Sequence, residues 1–83
     1  MEQKSIKIEK IRNKAFRLAT YFDTLGFDCT VWFLHKERRI DVDVYLPKDT
    51  KINWSAILHD YPHYIYDSSD GDNLRCYEIR LFL

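Results

Sequence analysis

Asp41 and Asp43, one residue apart, are the first candidates for chemistry. Alternation along a strand would put both carboxylates on one face, about 7 Å apart. A pair so placed can hold a divalent cation, with Asp28 or Glu78 as a third oxygen donor. The simpler expectation is polar alternation on a solvent-facing strand, with Arg39 and Arg80 as ion-pair partners. No other metal signature accompanies the pair, so no metal site is expected.

His59 and His63 have the spacing of two zinc ligands on one helical turn. Pro62 interrupts that turn, and neither a Cys pair nor an HExxH run goes with it. Two half-exposed imidazoles at a helix end are expected instead. The serines fall at a helix cap, in a second helix and in a turn, with no GxSxG elbow. Cys29 is expected to be buried and inert. Gly26 and Gly71 cannot make a phosphate-cradling loop between them. No catalytic residue is assigned, and no enzyme activity or cofactor is expected.

What remains is binding. Lys7, Lys10, Lys14 and Arg17 recur at spacings of three and four, with Tyr21 continuing the row. They line one flank of a helix, as a solvated face or as a contact for phosphates or an acidic partner. Trp32, Tyr45 and Phe82, near Arg39 and Arg80, suggest a stacking platform for single-stranded nucleic acid. Asp41, Asp43 and Glu78 would repel phosphates there. A surface of aromatics, arginines and acids suits a protein partner better.

The stretch Phe27 to Leu46 must position these groups. FDCTVWFL and RIDVDVYL each alternate, as strands with one buried face do. A four-residue connection, His35 to Arg38, sets Phe33 opposite Ile40, Val31 opposite Val42, Cys29 opposite Val44 and Phe27 opposite Leu46. The other face takes Trp32 opposite Asp41, Thr30 opposite Asp43 and Asp28 opposite Tyr45. A one-residue slip would bury Asp41 and Asp43, so the register is strongly specified.

A long helix is expected before the hairpin, from Ile6 to Leu25, with Met1 to Lys4 frayed and Ser5 as N-cap. Ile8, Ile11, Ala15, Leu18, Phe22 and Leu25 form its apolar stripe, widened by Phe16 and Ala19. Gly26 sits where a left-handed C-cap belongs. Pro47 ends the second strand. Thr50 or Asn53 can cap a short helix whose apolar face is Trp54, Ile57, Leu58 and Tyr61, closed by Pro62. His63 to Tyr66 reads as a third strand and Asp67 to Asn73 as a turn. Leu74 to Leu83 reads as the last strand, burying Tyr77, Ile79, Leu81 and Leu83.

The order α-β-β-α-β-β makes an α+β two-layer sandwich: a four-stranded antiparallel sheet with two helices on one face. It is a circular permutation of the ferredoxin-like plan, with expected sheet order 3-4-2-1. The uncovered face would then show Trp32, Thr30, Asp28, Asp41, Asp43, Tyr45, Ile65, Cys76, Glu78, Arg80 and Phe82.

Eighty-three residues fit one domain, 1–83. An aromatic fraction of 16% is high enough to leave some rings on the surface. Net charge is zero, but it is segregated: six cations against two acids in residues 1–17, five acids against Arg75 in residues 60–78. Such polarity steers partners. Two cysteines far apart suggest reduced thiols, not a disulfide framework. With no apolar run fit for a leader or a membrane span, a soluble, cytoplasmic protein is expected. The expected function is that of a small non-enzymatic inhibitor or adaptor. It would bind a protein partner, or its own twin, through Trp32, Tyr45, Phe82, Arg39 and Arg80. The alternative is nucleic-acid binding through Lys7, Lys10, Lys14 and Arg17.

Overall fold

Helix α1 runs Glu2–Thr24 in the computed structural model, which describes residues 2–71 and 73–83, with the backbone alone for 2–7, 69 and 70. Met1 and Asp72 lie outside the described residues, and so does the side chain of Lys7. The helix starts earlier than the apolar stripe suggests. Glu2, Gln3 and Lys4 are good helix formers, so the chain is helical there and not frayed. Ser5 is consequently inside the helix and not at its cap.

Ile11, Ala15, Leu18 and Phe22 are buried at spacings of four, three and four. Phe16 and Leu25, expected to extend that stripe, are about half exposed. Leu25 is exposed because the helix has already ended at Thr24. Gly26 adopts φ 84°. Its amide donates to Asp23 O at 2.9 Å, and that of Phe27 donates to Phe22 O at 3.0 Å. These two bonds make a Schellman cap, and Phe27 folds back onto the core beside Phe22.

Strands β1 (Cys29–Leu34) and β2 (Arg39–Pro47) form the hairpin in the expected register, from Cys29 opposite Val44 to Phe33 opposite Ile40. The Tyr45 amide continues the pairing by donating to Asp28 O at 3.1 Å. The tip is the four-residue turn His35–Arg38, closed by the Arg38 amide on His35 O at 3.2 Å.

Helix α2 is only Trp54–Leu58. Asn53 caps it, its Oδ1 accepting from the Ala56 amide at 3.2 Å. Tyr61 falls outside the helix, in the turn that leads to Pro62. Strand β3 runs His63–Asp70 and β4 Leu74–Phe82. The DSSD segment is therefore strand, not turn, and Gly71 at φ 79° makes the reversal. Asp67 helps explain the extension. It accepts from Arg75 Nη1 at 2.8 Å, a diagonal pair across β3 and β4.

The four strands make one antiparallel sheet in the order β1-β2-β4-β3, with β2 and β4 in the centre. Ile40, Val42, Val44 and Leu46 from β2 join Ile79 and Leu81 from β4 in the core. Phe22 of α1 and Leu58 of α2 close over the same cluster. The Trp54 ring lies 5.8 Å from Phe22 and 5.4 Å from Tyr77, bridging helix to sheet. Among the described residues, no helix is long and apolar enough to cross a membrane.

Candidate functional site: the uncovered sheet face

Odd positions of β4 and even positions of β2 face the helices. The opposite face follows from the register. Trp32, Asp41, Arg80 and Tyr64 form one row across the sheet. Thr30, Asp43, Glu78 and Tyr66 form the next. Tyr45, Cys76 and Ser68 follow, and Arg39 with Phe82 lies at the other end.

Tyr64 and Tyr66 were not expected here, and Ile65 was. The structure reverses them: Ile65 lies opposite Ile79 and packs on the core. The signal was in the sequence. When one apolar residue alternates with two tyrosines, the isoleucine is the one more often buried.

The face therefore has two aromatic flanks and a charged centre. Trp32, on edge strand β1, is 52% exposed. Tyr64 and Tyr66, on edge strand β3, are 54% and 48% exposed, with ring centroids 4.8 Å apart. Three strand spacings, about 14 Å, separate the flanks. Phe82 is exposed at the Arg39 end, whereas Tyr45 is half buried.

Ion pairs along single strands organise the centre. Arg39 Nε donates to Asp41 Oδ1 at 3.0 Å, and Arg80 Nε to Glu78 Oε2 at 2.8 Å. Arg80 also lies over the Tyr66 ring, 4.3 Å from its centroid. Asp41 was expected to face solvent, but it is only 4% exposed, packed beneath its neighbours. Burial pushes its pKa up, opposed by the Arg39 guanidinium. Asp43 is pushed up as well, by burial and then by Glu78 directly opposite, while the Trp32 indole bond works against the shift. One carboxylate oxygen, Asp43 Oδ1, is buried without a hydrogen-bond partner.

The other candidate groups are placed elsewhere. Among the described residues, no three acids, histidines or cysteines converge in a metal-holding group. His59 bonds Ala56 O and Asp60, and His63 bonds Tyr61 O at 2.7 Å, so each imidazole serves its own turn. Cys29 lies on the helix side of the sheet and Cys76 on the uncovered side, neither joined in a disulfide. Burial, with Asp43 and Asp23 nearby, pushes the Cys29 thiol up to about 11.

The basic flank of α1 meets the segment after α2 through Tyr61. The ammonium groups of Lys10 and Lys14 lie 5.8 and 5.4 Å from that ring's centroid. Arg17 is exposed. No family model matches the chain, no curated protein matches it in sequence, and no solved structure matches it.

Proposed function

We propose that this chain acts by binding, without catalysis, and that its uncovered sheet face docks a protein partner. The observation that carries this is the exposure of Trp32, Tyr64, Tyr66 and Phe82 on a face that neither helix covers. Large rings of this kind anchor interfaces, at about 2 kcal/mol or more each when truncated. Between the rings, among the described residues, the acids Asp41, Asp43 and Glu78 outnumber Arg39 and Arg80, so the centre carries an excess negative charge. A partner offering a Lys or Arg to that centre is the complementary one. Arg39 and Arg80 are held by Asp41 and Glu78 and act as framework, leaving the rings as the main contacts. The sheet order also supports a permuted ferredoxin-like plan, and the proposed setting is the cytoplasm.

The test uses Trp32→Ala and Phe82→Ala as baits beside the wild type, in recovery from host extract and in light scattering. Both variants should keep their melting temperature and lose the partner, or lose self-association if the partner is a second copy. A monomeric wild type whose recoveries neither change alters would refute the proposal.

Nucleic-acid binding through the α1 flank is the second reading, and it has less support. Among the described side chains of that row, Lys10 and Lys14 already lie over the Tyr61 ring, which leaves Arg17 outside that contact.

A further inference from the structure

The hairpin tip and the first turns of α1 enclose a cavity of about 460 Å³. It lies between α1 and the end of the hairpin remote from the α1 C-cap. Ile8, Phe33, Leu34, Ile40 and Leu83 supply apolar wall. Arg12, Arg38, Arg39 and His35 supply the polar part, and no acidic side chain lines it among the described residues.

Phe33 is the residue that reveals the site. Its backbone faces the core, opposite Ile40, yet its ring is 39% exposed. The ring lies 5.7 Å from that of Phe16 between centroids, and the Arg12 guanidinium lies 5.9 Å from its centroid. Among the described residues, neither Arg12 nor Arg38 makes an ion pair, whereas Arg39 is committed to Asp41. Two cations that no described side chain neutralises therefore border an apolar hollow of ligand size.

The backbone at Arg38 adds an independent observation. Arg38 has φ 53°, the left-handed region, and it is the sole described non-glycine residue there. Gly or Asn would serve that turn position with less strain. An Arg kept at a strained position marks a use for its side chain.

We propose that this cavity binds a small organic carboxylate. Arg12 and Arg38 hold the anion, and a flat or branched hydrocarbon body rests on Phe33, Ile8 and Leu83. Guanidinium forks match a carboxylate in two-point hydrogen bonds. The walls require a hydrocarbon body, which a bare inorganic anion lacks. The site borders the uncovered sheet face at Leu34 and Arg39, whereas Phe33 and Ile40 lie on the opposite side of the sheet from Trp32 and Asp41.

The test is a titration followed by amide chemical shifts, with 2-naphthoate as probe. Its neutral analogue 2-naphthylmethanol and inorganic phosphate form the comparison arms. Naphthoate should shift the amides of Phe33 to Ile40, Leu83 and the α1 turn around Arg12. Its affinity should exceed that of the alcohol and of phosphate by about tenfold or more. Arg12→Gln and Arg38→Gly should each weaken it by at least about fivefold. Glycine accepts φ 53° freely, so Arg38→Gly keeps or raises stability while deleting the anchor. Loss of binding in that variant thus cannot come from unfolding. Equal affinity for the alcohol, equal affinity for phosphate, shifts confined to the uncovered face, no shift at millimolar naphthoate, or unchanged binding in Arg38→Gly would each overturn the proposal.

Discussion

Trp32 reaches diagonally across the hairpin and donates its indole N–H to Asp43 Oδ2 at 3.1 Å. Its direct partner in the register is Asp41, so the ring leans along the strand toward the next carboxylate. That single bond joins the aromatic flank to the acidic centre. It also leaves Asp43 with its other oxygen buried and unpaired, facing Glu78 across β2 and β4. Like charges directly opposite one another destabilise a sheet.

The Asp43 carboxylate should therefore weaken the fold at neutral pH. Its folded pKa is raised above the ordinary 3.8, so the folded chain holds that proton more tightly than the unfolded one. The stabilisation from this proton is complete below the ordinary value and is lost as pH rises through the raised one. Asp43→Asn keeps an acceptor for Trp32 and removes the charge. At pH 7 it should melt higher than the wild type, by up to about 1 kcal/mol. The gap should close as the pH falls through the raised pKa. Thermal melts of both proteins across that range would check this, and a lower melting point for the variant at pH 7 would show that the ionised carboxylate stabilises.

The hairpin register gives a sharper contrast. Val42 is fully buried in the core, whereas Thr30 is exposed opposite Asp43. Val42→Asp should unfold the domain, because an unpaired charge in so small a core costs several kcal/mol, about the whole stability. Thr30→Lys should be neutral or slightly stabilising, since it sets an ammonium beside Asp43. Circular dichroism of the two variants is sufficient. Similar melting points would mean the register is wrong.

That register was legible because β2 alternates without a break from Ile40 to Leu46, and a slip of one would have buried two aspartates. The α1 stripe and its Gly26 cap were equally plain, since period and punctuation agree there. The weaker inferences share a cause. HYIY is too short for its alternation to fix a face, so Tyr64 and Tyr66 were missed until β4 set their neighbours. DSSD has turn chemistry, yet pairing with Leu74 to Tyr77 overrides it. The cavity at the hairpin tip was out of reach, because nothing local in the chain says that Arg12 and Arg38 line one hollow.

Gly26 offers a test of local conformation alone. A Cβ placed there would meet nothing within 4 Å, so any penalty is from its φ of 84° and not from packing. Gly26→Ala should lower stability by about 1 kcal/mol. Gly26→Asn should lose less, since Asn tolerates the left-handed region. Denaturant melts would rank the three proteins, and an unchanged alanine variant would mean that the chain reverses by another route.

The basic flank of α1 admits two roles, and Tyr61 separates them. If Lys10 and Lys14 act as a clamp between α1 and the segment after α2, their partner is the Tyr61 ring. Exposed contacts of this kind contribute about 0.5–1 kcal/mol each. Lys10→Gln with Lys14→Gln should then destabilise the domain, and so should Tyr61→Leu. Combining all three changes should add little, because each set removes the same contacts. Gel shifts with single- and double-stranded DNA and RNA should show no retention even at low salt. The opposite pattern would be steeply salt-dependent binding that Lys10→Glu with Lys14→Glu abolishes at unchanged melting temperature. That result would assign the flank to nucleic acid and leave Tyr61 a bystander. The clamp is the expected outcome, because both ammonium groups already converge on one ring from successive turns of the helix.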